Sequence, residues 1–212
     1  MMRFNVIHVT ASCGLSLMFA AADAAVVIQE LVYDGVGSDA DDVFTELIGT
    51  PGTVLDGWSL VGVNGGTGDV YRTIDLGGQI IPADGIFVIA TDAAIAAIAD
   101  VRDLVANVDW QNGPDAIQLL VGTTVVDALQ YGDAGIFNAG EGAYAVDVAA
   151  GMSLSRDMFA TDSGDNFSDF SLSVPTPGVG PSVVPIPAAA WLFASGLGLL
   201  GMARRRPAIP SV

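Results

Sequence analysis

Short apolar runs alternate with turn residues along the middle of the chain. The runs are rich in valine, isoleucine, leucine and aromatic residues, and clusters of glycine, aspartate, asparagine and proline separate them, a pattern typical of strands joined by turns. Many short strands with regular turns favour an all-β sandwich or barrel. The pattern predicts strands at residues 26–33, 43–48, 58–63, 70–76, 85–90, 116–121, 125–130, 143–148 and 153–156.

Two segments carry more specific patterns. Residues 43–48 alternate as a half-buried strand does, with Glu46 on one face and Thr45 on the other. Residues 92–100 place two isoleucines three positions apart among alanines. This spacing predicts a short helix with Asp92 as its N-cap, inserted between strands.

The first residues of the chain have the pattern of a secretory signal peptide. A basic residue near the start is followed by an apolar run over residues 9–22, and the small residues Ala22 and Ala24 fit the A-x-A cleavage rule. We therefore expect residues 1–24 to be removed by signal peptidase and the following domain to lie outside the cytoplasm.

A second apolar segment lies near the other end of the chain. Residues 188–203 are uncharged and are followed by Arg204, Arg205 and Arg206. As a helix this segment would be about 24 Å long, which is short for a bilayer core of about 30 Å. The arginines would stop transfer and stay cytoplasmic. We expect a short transmembrane helix with a basic cytoplasmic tail at residues 204–212, because a buried helix of a soluble protein would need a polar face.

The residues around this helix resemble a known sorting signal. Residues 184–193 read VPIPAAAWLF, in which the motif positions are Pro185, Ile186, Pro187 and Trp191. Together with the arginine cluster, they resemble the PEP-CTERM signal in its V-P-x-P-A-A-x-W-L-F variant, although PAIPSV follows the arginines here. The resemblance implies processing by exosortase, a membrane protease of Gram-negative bacteria that make extracellular polysaccharide, which becomes a candidate partner.

The charge of residues 25–187, the part expected to be exported, limits the kinds of partner that it can bind. From residue 25 to residue 187 there are three arginines, no lysine and 23 acidic residues, a formal net charge of −20. Such a surface repels phosphate backbones, which excludes nucleic acid, and it repels anionic lipid as well. An acidic surface favours solubility and the binding of cations or of basic partners. Residues 179–187 are rich in proline and predict an extended linker before the helix.

The same composition excludes most enzyme classes. Residues 25–187 contain no histidine, cysteine or lysine, so a serine–histidine triad, a cysteine–histidine pair, a lysine nucleophile and a histidine metal site are all excluded. Only carboxylate chemistry, such as that of a glycosidase, remains. We therefore expect no catalysis and no organic cofactor.

Calcium is the one candidate cofactor. Loop 34–42 clusters carboxylates that suit a hard cation, and a second loop, 162–166, is also rich in oxygen ligands. Neither loop has the EF-hand spacing, and solvated turn residues would explain both. The candidate ligands are Asp34, Asp39, Asp41 and Asp42 in the first loop, and Asp162, Asp165 and Asn166 in the second.

Several motifs of the middle of the chain resemble a lamin tail domain of the bacterial secreted type. They are IQELVY at 28–33, VFTEL at 43–47, LDGWSL at 55–60, DAIQL at 115–119, VVDALQYG at 125–132 and TPG at 176–178. The resemblance implies an immunoglobulin-like β-sandwich over residues 25–178, and it implies no reaction. Trp58 follows a turn and opens a strand, a position typical of a core anchor, so we expect it in the core.

These observations predict a non-catalytic envelope or extracellular-matrix protein of a Gram-negative bacterium. It would be anchored by its C-terminal helix, processed by exosortase, and act as a binding or structural module at the cell surface or outside the cell. Two alternatives stay open: a secreted carboxylate-dependent hydrolase, and a permanently anchored single-span surface protein.

Overall fold

The computed structural model describes residues 26–180, which form ten strands and three one-turn helices. In chain order the elements are β1 Val27–Val32, α1 Asp39–Asp42, β2 Phe44–Ile48, β3 Trp58–Asn64, β4 Val70–Asp75, β5 Ile86–Ala90, α2 Ala96–Ala99, β6 Leu104–Val105, β7 Asp115–Val121, β8 Thr124–Tyr131, β9 Ser153–Ser155, α3 Asn166–Asp169 and β10 Ser171–Ser173.

The strands form two sheets that enclose one hydrophobic core. The first sheet has the order β10-β9-β1-β2-β5-β6 and the second the order β4-β3-β7-β8. All pairs are antiparallel except β5 with β6. The core joins Leu31 and Leu47 of the first sheet to Leu60 and Ile117 of the second, and all four are fully buried. The predicted all-β sandwich is therefore confirmed at the level of its architecture.

Eight of the nine predicted strands are present, and the prediction for residues 143–148 is wrong. This segment alternates like a strand, and Ala145 and Val148 are buried. Its backbone has no continuous partner strand, however. Ala145 N donates to Gln130 O, whereas Val148 N donates to the hydroxyl of Tyr33 at 3.1 Å. A mixture of backbone and side-chain partners replaces the regular ladder that a strand requires.

The predicted helix is shorter than residues 92–100 and begins later. Helix α2 covers only Ala96–Ala99, and Ile95 rather than Asp92 holds the N-cap position. The backbone N–H of Ile95 donates a 2.7 Å hydrogen bond to Asp41 O. This contact with another segment ties down the chain just before the helix, so the helix begins after Ile95. The sequence analysis also missed β6, whose two residues are too few for a periodic pattern, and β10, whose residues Ser171–Ser173 include a single apolar residue.

Strand β2 is buried on both faces, so the prediction of a half-buried strand is wrong. On one face, Thr45 accepts a hydrogen bond at 2.9 Å from the indole of Trp110, the tryptophan that is fully buried in the core. Trp58, in contrast, is half-buried and packs against the rim of the core. On the opposite face, residues 176–180 cover Glu46; we call these residues the C-terminal strap.

Candidate functional site: a buried arginine among carboxyl groups

Arg156 follows β9 and has a fully buried side chain. Its Nε donates to Ile28 O at 2.9 Å, one terminal nitrogen donates to Thr161 O at 2.7 Å, and the other donates to Asp127 Oδ1 at 2.7 Å. The guanidinium also lies 4.4 Å from the ring centroid of Phe170. Each nitrogen of the cation therefore has a partner, which burial of a charge requires.

Three aspartates surround this guanidinium. Asp127 of β8 is also buried, and its carboxyl oxygen lies 2.7 Å from a guanidinium nitrogen. The carboxyl oxygens of Asp169 in α3 and of the more exposed Asp162 lie 3.3 Å and 3.5 Å from a guanidinium nitrogen. Asp127 also accepts a 2.6 Å hydrogen bond from the backbone N–H of Ile28. The network thus links β1 and β8 to α3 and to the residue that follows β9.

The electrostatic surroundings differ between the two buried aspartates. Burial raises the pKa of Asp127, and Arg156 with the Ile28 N–H offsets part of that rise. Burial also opposes ionisation of Asp169, but hydrogen bonds from Ser163 and the charge of Arg156 hold the pKa of Asp169 below its usual value. The arginine therefore provides the positive charge that keeps carboxylates stable inside the sandwich.

Glu141 is the remaining acid of this site. Among residues 26–180, Asp127, Glu141 and Asp162 are the one acidic triplet in which each side chain offers an oxygen within 4.8 Å of the others. Burial, followed by the negative charges of Asp127 and Asp162, raises the pKa of Glu141 to about 7. Its Oε2 atom is buried and has no hydrogen-bond partner.

Three converging carboxyl groups are the ligand type that a hard cation prefers, but the arginine competes with a cation here. Asp127 already contacts Arg156 at 2.7 Å and Asp162 contacts it at 3.5 Å, so an ion would sit beside a buried guanidinium. Repulsion between these two positive charges disfavours that arrangement. The geometry therefore fits a structural cross-link better than a metal centre.

The loop in which the sequence predicts calcium ligands has a different arrangement. Asp39 Oδ1 accepts the N–H of Gly35 at 3.2 Å, and Asp42 Oδ2 accepts the N–H of Val36 at 2.9 Å. Burial and then the charge of Asp39 raise the pKa of Asp34. These carboxyl groups, with the exposed Asp41, form no triplet within 4.8 Å. Calcium binding at this loop stays a prediction.

The second oxygen-rich loop holds the region around Glu141 in place. Asn166 is fully buried; its Oδ1 accepts the N–H groups of Gln130 and Glu141, both at 2.9 Å, and its Nδ2 donates to Ala128 O. Asp165 Oδ1 accepts the N–H of Ala143 at 2.9 Å. Of the three residues that the sequence singled out in this loop, Asp162 alone belongs to the acidic triplet.

Sequence reasoning missed Asp127, Glu141 and Arg156. One signal was available: within residues 25–187, Arg156 is one of only three basic residues beside 23 acidic ones, so its charge is exceptional there. Nothing local connects it with Asp127, 29 positions away. The remaining predicted site residues lie outside the described residues: Ala22, Ala24, Pro185, Ile186, Pro187, Trp191, Arg204, Arg205 and Arg206.

Residues 26–180 also line two surface cavities. One, of about 400 Å³, is lined by Arg156 with the exposed Met158 and Phe159. The other, of about 230 Å³, has Asp92 and Asp109 in its wall. Between residues 26 and 180, none of the helices has the length and apolar character needed to cross a bilayer.

No family model matches the chain, and no curated protein matches it in sequence.

Proposed function

We propose that this chain is an exported, non-catalytic surface or matrix module that is processed at both ends. Signal peptidase removes residues 1–24, and an exosortase-type protease acts near Pro185–Pro187. The part between them is a lamin-tail-like, immunoglobulin-like sandwich that acts by binding or by structure. Its proposed location is the envelope or the outside of a Gram-negative cell, among extracellular polysaccharide.

The observation that carries this proposal is the order of features at the C-terminal end of the sequence. The motif at residues 184–193 is followed at once by a short uncharged stretch and then by three arginines. A stretch of this length would hold only marginally in a bilayer of about 30 Å, which suits a temporary anchor. The arginines give it an orientation with the sandwich outside.

The described residues are compatible with a role in binding or structure. The two-sheet architecture is compatible with an immunoglobulin-like module, a fold that often serves interaction. Arg156 uses its nitrogens for internal contacts, and Arg72 and Arg102 each donate to a backbone carbonyl. The formal net charge of −20 over residues 25–187 therefore dominates the surface, which supports the proposal that nucleic acid is not a partner.

Intact mass spectrometry of the protein from its native host tests the proposal. The expected mature form lacks residues 1–24 and everything beyond the Pro185–Pro187 region. A Pro187→Ala variant should keep its C-terminal segment, whereas Pro181→Ala, a matched change outside the motif, should be processed normally. A mature protein that retains Trp191 and the three arginines would overturn the proposal and indicate a permanent anchor.

A secreted hydrolase is the second candidate, and the smaller cavity favours it. Asp92 and Asp109 both line that cavity, and two carboxyl groups are the minimum for glycoside hydrolysis. The test is release of reducing sugar from extracellular polysaccharide by the full chain. Activity that Asp92→Asn and Asp109→Asn each abolish would support hydrolysis. Absence of activity in the unmodified protein leaves the non-catalytic module.

A further inference from the structure

Two glutamates of neighbouring strands hold the C-terminal strap against the first sheet. Glu30 of β1 and Glu46 of β2 stand opposite each other in the strand register, and both are buried. The N–H of Thr176 donates to Glu30 at 3.1 Å and its hydroxyl donates at 2.7 Å. The N–H of Gly178 donates to Glu46 Oε2 at 2.8 Å.

The strap crosses three adjacent strands. Thr176 lies over β1, Gly178 lies over β2, and Gly180 approaches Ile86 of β5 so closely that a Cβ on Gly180 would lie 3.0 Å from that side chain. Gly178 has a φ of +73°, and a Cβ there would lie 2.9 Å from Val101. Only glycine fits this conformation and this contact, so the position of the strap is specific.

The strap leaves one polar atom without a partner. Glu46 has no exposed surface, and its Oε1 atom makes no hydrogen bond. The charged groups that act on it from the surrounding segments are Glu30, Asp84 and Asp103, and all of them are acidic. Among residues 26–180, no arginine forms an ion pair with Glu46. An ionised carboxylate in this position is buried, unpaired and surrounded by like charge, which is costly.

We propose that the strap is a proton-controlled latch: a neutral Glu46 holds residues 176–180 closed over β1, β2 and β5, and ionisation of Glu46 releases them. The direction follows from linkage. Burial, with Glu30 next to it, raises the pKa of Glu46 to about 8 when the strap is closed. In the released state Glu46 faces water and regains an ordinary pKa of about 4.3. The closed state therefore holds one more proton between these values.

The size of the effect follows from the same two values. Between about pH 6 and about pH 9, the equilibrium constant for closing should fall on the order of 10²-fold, because one proton is lost on release. Release would also free five residues, up to about 17 Å of chain, next to the proposed processing motif. That consequence rests on the proposed function, whereas the latch itself does not.

Nuclear magnetic resonance of the full chain in mild detergent tests the latch. The chain has only three glutamates, Glu30, Glu46 and Glu141, so selective ¹³C labelling of their carboxyl carbons gives three signals. We expect the Glu46 signal to titrate near pH 8, and the ¹³C methyl signal of Thr176 to move toward its unfolded position with the same midpoint. Carbon signals avoid the exchange of amide protons with solvent at alkaline pH.

Two variants separate the latch from general effects of pH. Glu46→Gln keeps an oxygen for the Gly178 N–H but cannot ionise, so the Thr176 signal should stay in its closed position up to about pH 9. Glu141→Gln is the matched control and should leave the response of Thr176 unchanged. If Glu46→Gln does not fold, the test rests on the unmodified protein, in which the Glu46 and Thr176 signals must share one midpoint.

Either of two results would overturn the latch: titration of Glu46 near its ordinary pKa, or a Thr176 signal that does not follow Glu46. Neither result touches the proposed processing, which the mass measurement tests separately.

Discussion

Replacing Arg156 with methionine should destabilise the sandwich more than any other loss of a basic residue. The change keeps most of the length of the side chain but removes the charge that faces Asp127 at 2.7 Å and Asp169 at 3.3 Å. It also leaves Ile28 O without its 2.9 Å hydrogen bond. Asp127 would remain as a buried carboxylate without a counter-charge.

The expected cost is about 3–5 kcal/mol, the range for removing one partner of a buried ion pair. Small domains have a total free energy of unfolding of about 5–15 kcal/mol, so the loss is a large share. It corresponds to a decrease of the melting temperature on the order of 10 °C for a domain of this size. Urea unfolding, followed by near-ultraviolet circular dichroism at neutral pH, measures the difference directly.

Arg102→Met is the matched control, because Arg102 is half-buried and donates to the Thr91 carbonyl without an ion pair among the described residues. It should cost about 1 kcal/mol or less. Adding Asp127→Asn to Arg156→Met should recover part of the stability, because asparagine still accepts the Ile28 N–H and carries no charge. Equal costs for the two arginines, or no recovery in the double variant, would refute the reasoning.

Three further predictions concern the core, the pH dependence and calcium. Trp110→Phe loses the indole hydrogen bond in a fully buried position and should lower the free energy of unfolding by about 2 kcal/mol. Trp58→Phe at the rim of the core should lower it by less than about 1 kcal/mol. Comparable losses for the two variants in urea unfolding would contradict this prediction. Burial raises the pKa of Glu46 to about 8 and that of Glu141 to about 7, above the unfolded value of about 4.3. Both groups therefore contribute stability that is fully present below about pH 4.3 and is lost as the pH rises to about 8. Glu46→Gln should flatten this decrease, and stability that rises over that interval would contradict the prediction. If loop 34–42 binds calcium, about 1 mM of the ion should raise the melting temperature of the unmodified protein, and Asp42→Asn should abolish that rise. No rise in the unmodified protein would exclude this site.

The strands and the class of architecture could be read from the sequence because they depend on local information. Residues 26–33 and 85–90 are rich in β-branched and aromatic side chains and are followed by turn residues, and both form strands. Residues 25–187 contain no histidine, cysteine or lysine, so the sequence predicted no site of those kinds there. The segment at 143–148 shows the limit of this information, because a strand also needs a continuous partner, which the sequence pattern does not reveal.

The candidate site depended on tertiary structure. Asp127 lies on β8, Glu141 lies in the loop between β8 and β9, and Arg156 and Asp162 lie in the loop between β9 and α3. Only the packing of these three segments brings the four side chains together.

The same distinction applies to Glu46. Alternation along β2 determines that Glu46 and Thr45 point in opposite directions, but it cannot determine what covers each face. A strap that lies 132 positions further along the chain buries Glu46. Local periodicity therefore determined where the chain is extended, whereas long-range contacts decided which charges lose their water and how their pKa values move.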